Sequence, residues 1–165
     1  MILPFIYIGN PILRKKSLPI HTIDQEILTL IENMKDTVKS FHGLGMAAPQ
    51  VGVSLALFVA CFPIRNADGT LVPGPPRVFI NPKIEDPSQE TWTEQEGNPC
   101  IPGIYAPVDR PVSITISYQD EQGAWQKTRL SGWEAKIVMH ENDHLNGVLF
   151  IDRLDPAEKK KNLEN

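Results

Sequence analysis

The residues of this sequence best suited to chemistry are His140-Glu141-Asn142-Asp143-His144. Histidines at i and i+4 fall on one helical face, one turn apart, where they can share a metal ion. Glu141, next to the first histidine, can then reach a metal-bound water as general acid and base. A five-residue match with three fixed positions also arises by accident on solvated helices. Here it lies in an apolar stretch with Ala135, Ile137, Val138, Met139 and Leu145, where two buried histidines are costly without a partner.

A second candidate is Gly43-Leu44-Gly45-Met46-Ala47-Ala48-Pro49-Gln50. Its alternate glycines allow close backbone approach, Ala47-Ala48 keeps bulk away, and Gln50 offers an amide donor to a substrate carbonyl. The plainer alternative is a tight helix-to-strand turn. The stretch has neither a phosphate-loop lysine nor the dinucleotide glycine pattern, which argues against a nucleotide cradle. The third candidate is Glu96-Gly97-Asn98-Pro99-Cys100-Ile101-Pro102-Gly103, which raises the question of whether Cys100 is a metal ligand.

Elements able to position these residues can be read from periodicity. Ile23, Ile27, Leu30, Ile31, Met34 and Val38 recur at helical spacing, which predicts an amphipathic helix over 22–41 with Thr22 as candidate cap, ending at the Gly43-Leu44-Gly45 break. Strands are expected over 55–61, 78–80, 112–118 and 125–130. The strict alternation of Val112 to Tyr118 predicts one buried and one wet face. The helix carrying the histidines is expected over 132–146. Helix, strands, helix in that order points to an α+β domain. Fifteen prolines, many in 63–87 and 99–111, are read as turns and irregular crossings between short strands.

A length of 165 residues with 41% hydrophobic and 22% charged side chains fits one soluble domain spanning 1–165. A net charge of -4 argues against a nucleic-acid surface, and Lys159-Lys160-Lys161 reads as a solvated helix end. The apolar opening Met1 to Ile8 lacks a basic flank and a cleavage site and is too short for a membrane span, so neither leader nor membrane attachment is expected. Cys61 and Cys100 make no disulfide framework, which gives a reducing cytoplasm as the default location.

The three motifs, in this order and spacing, resemble those of the peptide deformylases, and the resemblance extends to Gly9-Asn10-Pro11-Ile12-Leu13-Arg14, Phe79-Ile80-Asn81-Pro82 and Asn146-Gly147-Val148-Leu149-Phe150. It implies an α+β fold with antiparallel or mixed sheets around a central HExxH helix. It further implies one divalent metal, Fe(II) with Zn(II) or Ni(II) as substitutes, and removal of the N-formyl group from nascent polypeptides that begin with formyl-methionine. By the same resemblance His140 and His144 are metal ligands, Glu141 carries the proton, Gln50 donates to the oxyanion, Gly43 and Gly45 lie along the substrate, and Glu96 and Arg110 brace the site. The formylated nascent peptide, met at the ribosome, is then the partner; the sequence is silent on oligomeric state.

The chain departs from the family at its second motif. Where the family reads Glu-Gly-Cys-Leu-Ser, with the cysteine as third ligand, a gapless alignment puts Asn98, Pro99 and Cys100 after Glu96-Gly97. A neutral amide replaces a thiolate, and proline removes a main-chain N–H that would help hold the oxyanion. In a straight strand Cys100 shares a face with Asn98 but lies about 6.6 Å farther along. A two-residue slip would instead make Cys100 the ligand and the Ile101 N–H the donor; Cys100 as a small buried side chain is the other alternative. Lys136 and Met139 replace the family's usual arginine and glutamine. A peptide-binding module without turnover, and a metal-dependent amidase for another N-acyl substrate, are the competing readings.

Overall fold

The computed structural model describes residues 1–163. Its frame is a five-stranded sheet in the order β1 (Gly45–Ala47), β2 (Leu57–Arg65), β3 (Leu71–Glu85), β6 (Ser113–Gln119), β7 (Trp125–Ser131), every neighbouring pair antiparallel. The strands β4 (Thr91–Asn98) and β5 (Ile101–Pro111) form a separate antiparallel hairpin. The helices are α1 (Gln25–Ser40), α2 (Gly132–Leu145) and α3 (Pro156–Leu163).

The alternation of β2 organises the interior, because successive side chains leave opposite faces of a strand. Leu57, Val59 and Cys61 pack in one cluster with Ile31, Met34 and Val38 of α1. Phe58, Ala60 and Phe62 pack in another with Ala135, Ile137, Val138 and Met139 of α2. The sheet therefore separates the two helices. In α2, residues Ala135 to Met139 are all buried, the mark of a helix enclosed by protein. A third cluster joins Cys100, Ile101, Ala106 and Val108 of the hairpin to Leu13, Leu149, Phe150, Ile151 and Leu154.

Helix α1 starts later than its periodicity predicts, and its cap is not Thr22. Asp24 caps it, its side chain accepting the Ile27 N–H at 3.0 Å. The expected alternation of β6 is present, with Ile114, Ile116 and Tyr118 buried. Strand β3, expected as three residues, is fifteen long and carries Pro73, Pro75, Pro76 and Pro82. These prolines lie within strands rather than in turns between them. The physical reason is pairing: up to Phe79, β3 is matched in register only with β2, so Pro73, Pro75 and Pro76 sit where one edge needs no ladder N–H, and Pro82 falls within the Ile80/Lys83 irregularity. Register shifts fall at Cys61/Pro63 and Ile80/Lys83.

Candidate metal centre and substrate cavity

Helix α2 sets His140 and His144 on one face, their rings 5.2 Å apart edge to face. The hairpin supplies what surrounds them. Along β4 the even residues turn inward, so Glu96 and Asn98 are both buried, and on β5 Ala106, Val108 and Arg110 face the same side.

Glu96 is the hub of the polar network. Arg110 donates to it through Nε at 2.6 Å and Nη2 at 2.9 Å, a bidentate grip, and reaches Asp143 with Nη1 at 3.0 Å. Asp143 is held in turn by Arg153 at 2.6 and 2.7 Å. Lys136 Nζ lies 3.5 Å from Glu96 and over the Trp92 ring at 5.3 Å. Burial alone would raise the Glu96 pKa, but its bonds to Arg110 and His140 prevail and hold it well below the usual carboxylate range. The ionised Glu96 then accepts from His140 Nδ1 at 2.7 Å. In the neutral ring this leaves the lone pair on Nε2, the arrangement by which a carboxylate orients a metal-ligating histidine.

Glu141 points toward Gly45 across the gap between α2 and β1. A Cβ on Gly45 would lie 2.6 Å from Glu141 Oε1, so the absence of a side chain there makes room for the carboxylate. Glu141 Oε2 and His144 Nδ1 are buried without a hydrogen-bond partner among the described residues. Burial, with Glu96 and Asp143 nearby, pushes the Glu141 pKa up to about 7 against the opposing pull of His140 and Arg110. Burial also holds His144 well below its ordinary value.

Gln50 sits in a 3-10 turn, Ala48–Val51, with Oε1 accepting the Ala47 N–H at 2.8 Å. Its Nε2 donates to Asn98 Oδ1 at 3.0 Å and approaches Cys100 Sγ at 3.6 Å. Asn98 in turn lies 2.6 Å from His144 Nε2. The strand does not run on to Cys100. Asn98 pairs with Ile101, Pro99 and Cys100 form the turn, and Asn98 Oδ1 accepts the Cys100 N–H at 2.8 Å, an Asx turn of the kind Asn-Pro favours. The ladder irregularity falls at Gly97/Asn98.

His140, Glu141, Gln50, Asn98, Gly43 and Gly45 all line a cavity of about 610 Å³, together with Glu96, Trp133 and Tyr105 among others. Cys100 and Ile101 are buried behind its wall, packed with Leu13 and Phe150. The structure thus brings Asn98, in the gapless alignment, against His144 and leaves Cys100 on Gln50. Among the described residues no three His, Cys, Asp or Glu side chains gather to hold one ion. Two imidazoles, an oriented tautomer on His140 and a carboxylate beside them suit a divalent ion; the third protein position offers an amide where a thiolate would bind more strongly.

The sequence reading gave Asp143 and Arg153 no role, and they form the outer half of the brace. The available signal was an acidic residue inside an apolar helix, a costly choice without a cation opposite it.

An antiparallel α+β fold with paired histidines and an intervening glutamate on a buried helix, His140 and Glu141 lining a cavity and His144 buried beside them, defines the class of metal-dependent hydrolases with an HExxH centre. Residues 2–160 match the polypeptide deformylase family. The chain is 40% identical over 149 residues to a peptide deformylase of Picosynechococcus sp., covering 90% of this chain and 77% of that one. Among solved structures, a peptide deformylase from Synechococcus elongatus in complex with actinonin superposes with a TM-score of 0.87 at 39% identity, over 98% of this chain and 84% of that one. A Met-Ala-Ser-bound peptide deformylase from Acinetobacter baumannii gives 0.86 at 30% identity, over 93% and 99%. The chain belongs to the polypeptide deformylase family, metal-dependent hydrolases that remove N-formyl groups from nascent peptides.

Proposed function

We propose that this chain takes the formyl group from peptides beginning with formyl-methionine, in the cavity between α2, β1 and the β4-β5 hairpin. The observation that carries the reading is the convergence of His140, Glu141, Gln50 and Gly45 on that one cavity. The Met-Ala-Ser-bound relative is named for a ligand that is itself a short peptide beginning with methionine. His140 and His144 would hold the divalent ion, which would supply Lewis acidity to the hydrolysis. Fe(II) is the native ion in this reading, with Zn(II) or Ni(II) able to replace it.

Glu141 takes the proton of the attacking water and passes it to the departing peptide amine. A carboxyl whose pKa is pushed up to about 7 is suited to both transfers near neutral pH. Glu96, bound by Arg110, fixes the His140 ring, and Gly45 gives Glu141 its space. Gln50 Nε2 donates to the developing oxyanion after letting go of Cys100 Sγ, the longer of its two contacts. Pro99 has no N–H to share that task, so Gln50 carries it alone on this side of the cavity.

The partner is the formylated end of a nascent chain, met at the ribosome in the cytoplasm. Both cysteines are free and buried, as a reducing compartment favours, and no helix among the described residues is long and apolar enough to cross a membrane. A second reading draws on the same proline and on the occupied Gln50 amide: a module that binds the peptide end without turning it over.

Formate release from formyl-Met-Ala-Ser, measured with the protein loaded anaerobically with Fe(II), Ni(II) or Zn(II), separates the two. Turnover that chelator removes and Glu141→Ala abolishes supports the hydrolase. Saturable peptide binding without formate release under every metal supports the module.

A further inference from the structure

Two backbone N–H groups fix the side-chain amides beside His144. Ala47 N–H donates to Gln50 Oε1, so it is the Gln50 nitrogen that faces Asn98. Cys100 N–H donates to Asn98 Oδ1, which therefore accepts from both Cys100 and Gln50. A carbonyl oxygen has two lone pairs, and both are engaged. The atom 2.6 Å from His144 Nε2 is then Asn98 Nδ2, which donates to that nitrogen's lone pair. The same lone pair is the one a metal ion would use.

We propose that Asn98 competes with a divalent cation for His144 Nε2, so that this chain binds its metal without a thiolate and more weakly than a variant whose residue 98 is a ready ligand. The proposal rests on the reading of His140 and His144 as the metal pair. An amide nitrogen is no ligand, so Asn98 joins the ion only by turning over to present Oδ1. That turn sets its NH2 against Cys100 N–H and Gln50 Nε2 and leaves two buried donors without their acceptor. At the low end of the cost of an unsatisfied buried donor, two of them weaken the site about 30-fold. Cys100 offers no escape. It sits in the turn closed by the Asn98–Ile101 pair, packed with Leu13 and Phe150, and its recruitment would undo that turn.

Asn98→Asp isolates the effect, because it changes one atom. The oxygen that accepts from Cys100 and Gln50 is kept, and an anionic oxygen takes the place of Nδ2 beside His144, giving the two-histidine, one-carboxylate set that divalent metals favour. Asn98→Cys restores a thiolate at the same place and serves as the second variant should the aspartate not fold.

The experiment is titration of the protein and both variants with Co(II) and Zn(II) against a chelator of known affinity, together with absorption spectra of the Co(II) forms. The expected result is metal bound at least about 30-fold more tightly by the variants than by the parent. A thiolate-to-cobalt charge-transfer band should appear in Asn98→Cys alone. Equal affinity in parent and variants overturns the competition, and a thiolate band in the parent shows Cys100 recruited, which overturns it too. His140→Ala with His144→Ala is the control. Affinity that survives this control removes the metal-pair reading and the proposal with it, whereas equal affinities that depend on the histidines remove the proposal alone.

Discussion

Gly45→Ala tests whether the glycine of the first motif exists to make room for Glu141. A Cβ built on Gly45 meets Glu141 Oε1 at 2.6 Å, Cγ at 2.8 Å and Cδ at 2.9 Å, all far inside van der Waals contact. Gly45 is not among the residues with positive φ, so the backbone itself accepts alanine and the cost must come from the collision. The carboxylate has to withdraw by somewhat under about 1 Å, and overpacking of this kind costs about 1–3 kcal/mol. A displacement of that size at a reacting group lowers turnover on the order of 100-fold. The decisive assay is a double-mutant cycle by urea denaturation, comparing Gly45→Ala in the parent and in a Glu141→Ala background. Removing Glu141 removes the obstacle, so the alanine should be harmless there, with a coupling energy of about 1–3 kcal/mol. If Gly45→Ala costs the same stability in both backgrounds, Gly45 and Glu141 are not in contact in the way described. The whole placement of the carboxylate against β1 would then be wrong.

Three further outcomes are expected. Arg110→Met takes the bidentate cation from buried Glu96, leaving it His140 and Lys136, and leaves Asp143 to Arg153 alone, which should cost about 3–5 kcal/mol of stability in urea; a loss below about 1 kcal/mol would refute the buried brace. Burial raises the Cys61 thiol above its ordinary value, with Glu141 adding to the effect against Lys39. The folded state therefore holds that proton more tightly, so its contribution to stability is complete below about pH 9 and is lost as pH rises through the folded pKa. Cys61→Ala should flatten the alkaline fall in stability relative to the parent, and identical slopes would count against it. Gly147→Ala adds a Cβ that collides with the Arg14 carbonyl oxygen at a residue with φ of +71°, so the thermal midpoint should drop by several degrees; an unchanged midpoint would show that the Arg14 backbone yields freely.

Residues that work through local chemistry were legible in the sequence. The HExxH spacing placed His140, Glu141 and His144 on one helix face, and α2 ends within a residue of its expected limit. Strand β6 was legible because alternation marks it, and β7 ends within a residue of its expected limit. The hairpin β4-β5 is absent from the expected strands, apart from the strand register taken for Asn98 and Cys100. Its inward residues include Glu96, Asn98 and Arg110, so the burial pattern runs through charged and polar side chains and no hydrophobic period betrays it. Its prolines also imitate turn signals, as they do in β3. The Glu96–Arg110 brace is expected through the family resemblance alone, since no local pattern marks it. Arg110 lies opposite Trp92 in the ladder and reaches along the hairpin to Glu96, a contact set by side-chain length rather than by register. Asp143 and Arg153 join it only because the chain after α2 folds back on the helix.

The altered second motif gains its meaning from backbone geometry rather than from the loss of one ligand. Asn98 and Pro99 together make a turn that a cysteine and a leucine would not make in this way: the asparagine oxygen accepts Cys100 N–H, and proline occupies the position where no donor is needed. That same oxygen receives Gln50, which ties the would-be oxyanion donor to the hairpin, and the amide nitrogen falls to His144. One substitution pattern thus couples the turn, the oxyanion donor and the metal ligand through a single side chain. A change that frees Asn98 Oδ1 should therefore act on all three together. Cys100→Pro removes the turn N–H and so releases one lone pair of that oxygen. Metal affinity should rise in this variant even though residue 98 is untouched, provided that circular dichroism shows the fold intact. If affinity is unchanged with the fold intact, the turn hydrogen bond does not hold the amide in place, and Gln50 alone sets its orientation.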